Sequence, residues 1–416
     1  MIWKYRYTIL SIVFCAYMLC YLDRMVMATA IPFIAQDFHL SPITIGGVLS
    51  AFFVGYALMQ IPGGLLTDRF GPRIVLTGSI AWFSVMTAIS GIAPGLTTLW
   101  IVRVLFGFGE GPFPSAAAKA VANWFPDREV GRANGLQLGS TGLGATIAPP
   151  LAVALIAHFG WRSVFYALFI PGLLLTLLVW RYVRDSPLQS QRVLPKELTE
   201  FEHPPHAARA TKANFTESLR NPAVLWCAFS LFLINVVSWG LLNWLPTYLL
   251  QARGFGADKM GVFAAITNLA GALGFPLGGY LCDKYFSHKM RVLVIVGLLL
   301  SALFTYLAAV APSGEWAVFY FVLLFLSMNA ASTAIFTLPL VLVPKTRIGG
   351  AFGIVNTIGQ LAGILSPLLI GYVLEVTHNN FQIALNCMVG ALLLALYPAS
   401  RMRQPCASQE TIERLA

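Results

Sequence analysis

Pro62-Gly63-Gly64-Leu65-Leu66-Thr67-Asp68-Arg69 closes one long apolar run, and Pro276-Leu277-Gly278-Gly279-Tyr280-Leu281-Cys282-Asp283-Lys284 closes another. With one insertion the two stretches align, the prolines 214 residues apart and the aspartates 215. Pro32 and Gly47 recur as Pro246 and Gly261, again 214 apart. Arg132-Ala133-Asn134-Gly135 and Gly349-Gly350-Ala351-Phe352-Gly353 open corresponding runs farther on. Glycine and proline alone coincide by chance. An Asp followed by a cation at the same junction of both halves is harder to obtain that way. The chain therefore reads as two copies of one unit.

The composition around these stretches sets the solvent. Of 416 residues, 57% are hydrophobic and 11% charged, against about 25% charged in a soluble domain. A mean hydropathy of +0.74 would leave a soluble protein coated in apolar surface, so lipid is the expected partner of much of this chain. The 36 glycines and 24 prolines suit membrane helices, where both are commoner than in soluble ones. Disorder needs low hydrophobicity and is excluded. The net charge of +10 is not read as a nucleic-acid surface, because the cations sit in short loops between apolar runs. Cys15, Cys20, Cys227, Cys282, Cys387 and Cys406 form no CxxC pair and mostly lie inside apolar runs. They are expected as small buried residues rather than disulfides or metal ligands. The first apolar run carries charge and continues without an A-x-A-like site, so no cleavable signal peptide is expected.

A spanning helix needs about 20 mainly apolar residues. Twelve such runs are expected, at about 7–30, 42–66, 74–93, 97–119, 132–156, 160–181, 222–250, 258–282, 290–310, 315–341, 348–374 and 379–400. They give an N-terminal six-helix bundle (1–181), a polar linker (182–220), a C-terminal six-helix bundle (221–400) and a tail (401–416). With the first residues inside, Arg162, Arg253 and Lys259 fall outside and Arg24 and Arg103 fall within helices, leaving 22 of the 27 Lys and Arg on cytoplasmic segments. The positive-inside rule then puts both termini in the cytoplasm. Six-helix repeats are characteristic of secondary transporters, in which a site between the halves is exposed to each side in turn.

Three motifs carry a family resemblance. Gly64-x3-Asp68-Arg69-Phe70-Gly71-Pro72-Arg73 resembles the loop motif of the major facilitator superfamily. Arg103-x3-Gly107-x-Gly109-x-Gly111 resembles its fourth-helix motif, and Gly135, Gly139, Gly142, Gly144 and Pro149 resemble its fifth-helix glycine and proline series. Tyr21-Leu22-Asp23-Arg24, Glu110, Asn123-Trp124-Phe125-Pro126 and Trp244-Leu245-Pro246-Thr247-Tyr248-Leu249 resemble the anion:cation symporter family within it. The resemblance covers nearly the whole chain. It implies an all-α integral membrane fold of twelve transmembrane helices in two pseudo-symmetric bundles. It implies carriage of a small organic anion such as a sugar acid.

Asp23, Arg24, Arg103 and Glu110 are the ionisable residues expected at membrane depth, on the first and fourth helices. Each costs about 2.5–3.5 kcal/mol at a helix centre on insertion scales. Asp23 and Arg24 are adjacent and point about 100° apart, so they serve different partners. Arg103 and Glu110 are seven apart and share a face, about 10 Å apart along the axis. A bland account is an ion-pair network joining two helices. The functional account is proton coupling with anion binding: a buried carboxyl can load and release a proton near neutral pH, and Arg grips a carboxylate through a two-pronged fork. The six histidines lie near loops or helix ends, which leaves carboxyls as the proton carriers. No cofactor is expected beyond the coupling proton.

The resemblance implies roles residue by residue. Asp23 and Glu110 match coupling carboxylates, Arg24 the substrate-anion contact, and Arg103 the arginine neighbouring the Glu. Tyr21 and Tyr56 match pocket tyrosines, and Asn356 an amide that meets substrate polar groups. Thr141 stands where some sugar-acid carriers have Gln, a departure that weakens transfer of their specificity. Val237 and Ser238 occupy the repeat positions of Asp23 and Arg24, so charge is confined to one half. The other half offers Asn235, Trp239, Asn243, Asn268, Asn329, Thr333, Phe336 and Asn356 for the substrate's neutral part; helix packing is the alternative for each. Asp68, Arg69, Arg73 and Asp283 are expected as gating residues, with Asp68 capping a neighbouring helix and latching the cytoplasmic side.

The glycines at 107, 109 and 111 follow no strand, so they are read as packing positions rather than a nucleotide loop. Asn214-Phe215-Thr216 fits a glycosylation sequon but lies in the linker expected in the cytoplasm. The first functional expectation is proton symport of an organic anion, with lipid and substrate as partners, no nucleic acid, and a monomer in a bacterial inner membrane. An anion exchanger or facilitator without net proton coupling, and a non-transporting membrane sensor, remain as alternatives.

Overall fold

The computed structural model describes residues 4–193, 220–286, 289–342 and 348–402. Among them there are thirteen α-helices and no strand. The first seven are α1 (Tyr5–Phe38), α2 (Pro42–Phe70), α3 (Pro72–Gly91), α4 (Leu96–Glu110), α5 (Phe113–Trp124), α6 (Asp127–Phe159) and α7 (Arg162–Tyr182). The rest are α8 (Pro222–Thr247), α9 (Ala257–Lys284), α10 (Met290–Ala309), α11 (Gly314–Leu342), α12 (Ile348–Val376) and α13 (Phe381–Arg401). Among the described residues, eleven helices are long and apolar enough to cross a bilayer. With α4 and α5 counted as one span the described residues supply twelve, and the protein is a multi-pass membrane protein.

Proline and glycine punctuate the helices for identifiable reasons. Pro42, Pro72 and Pro222 each open a helix, where the missing N–H costs nothing and the fixed φ is already helical. Asn221 and Asn380 cap α8 and α13 by accepting from Ala223 N at 3.0 Å and Ile383 N at 3.3 Å. Gly71, between α2 and α3, has φ +81°, a conformation that disfavours any residue with a Cβ. His39 ends α1 in the left-handed region, its N–H on Ala35 O.

Two expectations are corrected. The first helix was expected to stop near residue 30. It runs on to Phe38 with Pro32 inside it, because no water is available at depth to satisfy backbone groups that leave the ladder. The fourth helix was expected unbroken over 97–119. It is seamed at Gly111-Pro112, where the proline cannot donate to the ladder. Gly111 (φ −54°, ψ −39°) and Pro112 (φ −71°, ψ −23°) keep helical angles, so the seam is a missing bond rather than a turn.

The chain divides into two compact units, Met1–Ala207 with Gly256–Ala265, and Ala208–Phe255 with Ile266–Ala416. In the first, α1 packs on α6, α2 on α4 and α3 on α7; in the second, α8 packs on α12 and α10 on α11 and α13. The pairings of first with fifth span and third with sixth thus recur, as the sequence repeat demands. Residues 194–219 of the expected linker, including the Asn214 sequon, and 403–416 of the expected tail, including Cys406, lie outside the described residues.

Close approach in the first unit rests on glycine. A Cβ at Gly55 of α2 would stand 1.9 Å from Val104 O, and one at Gly107 of α4 would stand 2.0 Å from Phe52 O. The two backbones therefore touch, and this contact brings α4 against α2 at the level of the buried charges. Gly109 is filled from the other side by Trp82, whose indole donates to Leu105 O at 2.8 Å.

Candidate functional site

Arg24 of α1 forms a buried ion pair with Glu110 in the last turn of α4. Exposure is 6% for Arg24 and 0% for Glu110. Three rings surround the guanidinium: Phe52 at 4.6 Å, Tyr21 at 4.7 Å and Tyr56 at 5.0 Å from ring centroid to Cζ. Rings attract a guanidinium through their negative faces, more strongly where water is absent. Glu110 meets the guanidinium at its hydrogen-bonding edge, the edge through which Arg recognises a carboxylate.

Asp23, 3% exposed, lies on another side of α1. Both its oxygens are buried without a hydrogen-bond partner. The charges acting on it are Arg103 and Glu110, with Thr87 of α3 beside it. Thr87 already donates to Phe83 O at 2.9 Å. Arg103, 2% exposed, stacks on Phe106 at 4.2 Å and feels both Asp23 and Glu110. Glu110 therefore sits between two cations, bonded to one of them, while Asp23 faces a cation without bonding to it.

Phe52, Thr87 and Cys20 were missed by sequence reasoning. Phe52 is one turn before Tyr56 and so on its face, a spacing that would have revealed it. Cys20 lies within electrostatic reach of Glu110, Arg24 and Asp23. Nothing in the sequence singles out Cys20 or Thr87.

Thr141, half-buried on α6, donates its hydroxyl to Leu138 O of its own helix at 2.6 Å and does not join this cluster. In the second unit, Asn235 donates to Gly359 O at 3.0 Å, Asn329 to Gly271 O at 3.0 Å, and Thr333 to Phe275 O at 3.2 Å. These bonds join α8 to α12 and α9 to α11, which is helix-packing work. Trp239 is buried, and its carbonyl accepts from Asn243 at 2.7 Å. Phe336 and Asn356 are half-buried on α11 and α12.

At the far end of α2, Asp68 is 76% exposed and pairs with Lys119 of α5 at 2.6 Å. The carboxylate at the start of α3 is that of Asp185, which accepts from Arg73 N at 2.8 Å. It fills the space where a Cβ on Gly71 would go. Asn123 and Trp124 of the Asn-Trp-Phe-Pro motif donate to Asp185 O at 2.8 Å and Arg184 O at 2.7 Å. Arg73 bonds Trp180 O at 2.7 Å and stacks on its ring at 4.2 Å. Arg69 lies over Phe70 at 5.1 Å, and Asp283 is exposed. No group of three or more His, Cys, Asp or Glu suited to a metal occurs among the described residues.

The model of the Major Facilitator Superfamily matches residues 13–367. A probable sulfoacetate transporter of Cupriavidus necator is 33% identical over 384 residues, 90% of this chain and 89% of that protein. A probable galactarate/D-glucarate transporter of Escherichia coli K12 is 30% identical, covering 94% of this chain and 93% of its own length. The hexuronate transporter of Bacillus subtilis is 28% identical, covering 94% and 92%. Among solved structures, an inward-facing, unoccupied bacterial homolog of the human lysosomal transporter Spinster is similar with a TM-score of 0.84. Its identity is 20%, over 98% of this chain and 100% of that one, a likeness of fold.

Proposed function

The chain belongs to the Major Facilitator Superfamily, and from that premise we propose that it is a secondary active transporter carrying a small organic anion with protons by alternating access. The observation that carries this reading is the Arg24–Glu110 pair inside its aromatic cage, with Asp23 unbonded nearby. A substrate carboxylate has the same shape and charge as the Glu110 side chain. It takes the edge of Arg24 from Glu110, and the displaced Glu110 then takes a proton, since an uncompensated buried carboxylate is costly. Asp23 lies in the same cluster, with Arg103 and Thr87 as its polar neighbours. Coupling follows from competition: acid and Glu110 cannot both hold Arg24 as anions.

Relatives named for sulfoacetate, galactarate or glucarate, and hexuronate support a small acid as the cargo. We place recognition of the acid's neutral part on Asn356, Trp239 and Phe336. Asp68, Arg69, Arg73 and Asp283 gate the cytoplasmic side. The Lys and Arg distribution supports cytoplasmic termini, and the bacterial relatives support an inner membrane.

The test is uptake into proteoliposomes of labelled sulfoacetate, D-glucuronate and galactarate with the lumen alkaline. Accumulation above equilibrium, lost when the pH gradient is collapsed, is expected. Uptake that ignores both the pH gradient and the membrane potential would defeat symport and leave the exchanger or facilitator.

A further inference from the structure

Two arginines meet at one carbonyl at the end of α7, away from the Arg24 cluster. Arg73, in the first turn of α3, donates to Trp180 O through Nη2 at 2.7 Å and Nε at 3.2 Å. Arg184, two residues past α7, donates through Nη1 to the same oxygen at 3.2 Å and to Val183 O at 3.0 Å. The last carbonyls of a helix attract a cation, and one arginine meets that need. The second brings a like charge to the same atom, and Arg73 feels it. Asp185 also acts on Arg73, but its carboxylate accepts from Arg73 N at 2.8 Å and sits over Gly71. Neither guanidinium forms an ion pair among the described residues, whereas Arg6 and Lys119 at the same end of the helices do. Arg73 keeps Nη1, and Arg184 keeps Nε and Nη2, without a partner among the described residues. Arginine does not lose its proton in proteins, so this double charge is permanent.

The surface that leads to the pair is apolar. Ile170, Leu174, Leu177 and Trp180 follow one another at helical spacing along α7, each more than half exposed. Ile74 beside Arg73 and Leu188 in the turn after Arg184 are exposed as well. The Trp180 indole stacks on the Arg73 guanidinium, 4.2 Å from centroid to Cζ, and such a ring is favoured at the boundary between membrane and water. An apolar lane therefore ends in open guanidinium edges. A phospholipid has the same order, acyl chain and then phosphate. We propose that Arg73 and Arg184 bind the phosphate of an anionic phospholipid, with an acyl chain laid along the exposed side of α7. A guanidinium fork matches two phosphate oxygens. A zwitterionic headgroup brings its own cation to a place that already holds two, which selects for the anionic kind. The Lys and Arg distribution puts this end of α7 in the cytoplasm, so the lipid belongs to the cytoplasmic leaflet. The site stands whatever the cargo and its coupling.

Native mass spectrometry of the delipidated full chain in detergent tests this. The probes are phosphatidylglycerol and phosphatidylcholine with the same acyl chains, and inorganic phosphate as competitor. The unmodified protein should hold phosphatidylglycerol about tenfold more tightly than phosphatidylcholine, and millimolar phosphate should not displace it. Arg73→Gln with Arg184→Gln should weaken phosphatidylglycerol by about tenfold or more, the scale of a charge-assisted hydrogen bond, and leave phosphatidylcholine unchanged. Glutamine can still donate to Trp180 O, and a melting curve in detergent checks that the variant folds. Arg132→Gln, which removes an exposed cation of α6, should leave both lipids nearly unchanged. Equal retention of the two lipids by the unmodified protein overturns the site, and this comparison needs no variant. Equal weakening by Arg132→Gln and by the arginine pair also overturns it, in favour of diffuse surface charge. Displacement by phosphate overturns the lipid as occupant, in favour of a soluble anion.

Discussion

Arg24 on α1 and Glu110 on α4, 86 residues apart in the chain, meet as a buried ion pair. Each is the other's substitute for water. A change in either is therefore a change in both, and the pair can be interrogated from its two ends.

Glu110→Gln removes the proton-accepting end while keeping a carbonyl for Arg24. Net accumulation of any transported acid should fall to background while counterflow exchange persists. Affinity for the acid should hold or improve, because its anionic competitor is gone. Loss of counterflow together with net uptake would show that Glu110 serves binding or folding instead.

Arg24→Ala should weaken acid binding by about tenfold or more, the scale of a charge-assisted hydrogen bond of about 1.5–3 kcal/mol. Arg24→Lys keeps the charge but loses the planar fork and should recover little of it. Titration calorimetry on purified protein reads both. Unchanged binding by the alanine variant would remove Arg24 from the site.

Asp23→Asn should abolish net accumulation of a transported acid while counterflow exchange persists. Uptake into proteoliposomes with the lumen alkaline decides it, and undiminished accumulation would remove Asp23 from the coupling.

Asp185→Ala should lower stability by about 1 kcal/mol, as loss of a helix cap does, because it frees Arg73 N. Asp68→Ala should change stability by under about 0.5 kcal/mol, since its ion pair is exposed to solvent, yet slow transport if Asp68 gates. Thermal unfolding in detergent alongside initial rates separates the two aspartates.

Gly55→Ala and Gly107→Ala should each cost about 1–3 kcal/mol by overpacking, because the new Cβ meets a backbone oxygen. Gly78→Ala, with nothing within 4 Å, is the control and should be neutral in the same unfolding assay.

The fold was legible because lipid imposes a blunt rule. Apolar runs of spanning length with cations between them leave few architectures, and the repeated Asp-cation junctions divided them six and six. The family followed from those motifs. What escaped was whatever depends on a neighbour. Phe52 reads as one more apolar residue until Arg24 is placed under it. Asp185 reads as a loop charge until Gly71 opens a space for it. The seam at Pro112 was visible as a proline in a helix, but an apolar run of spanning length concealed that the ladder lapses there. The amides of Asn235 and Asn329 had two meanings in sequence, and only their distances to Gly359 O and Gly271 O express the packing one.

The length of α1 changes what its charges mean. A helix ending near residue 30 would have put Asp23 close to its C-terminal end. With α1 running from Tyr5 to Phe38, Asp23 is 18 residues from one end and 15 from the other, about 27 Å and 22 Å at 1.5 Å per residue. On the symport reading proposed above, a proton held at Asp23 would be no nearer one compartment than the other, and the direction it leaves by would be set by which side is open rather than by where it sits.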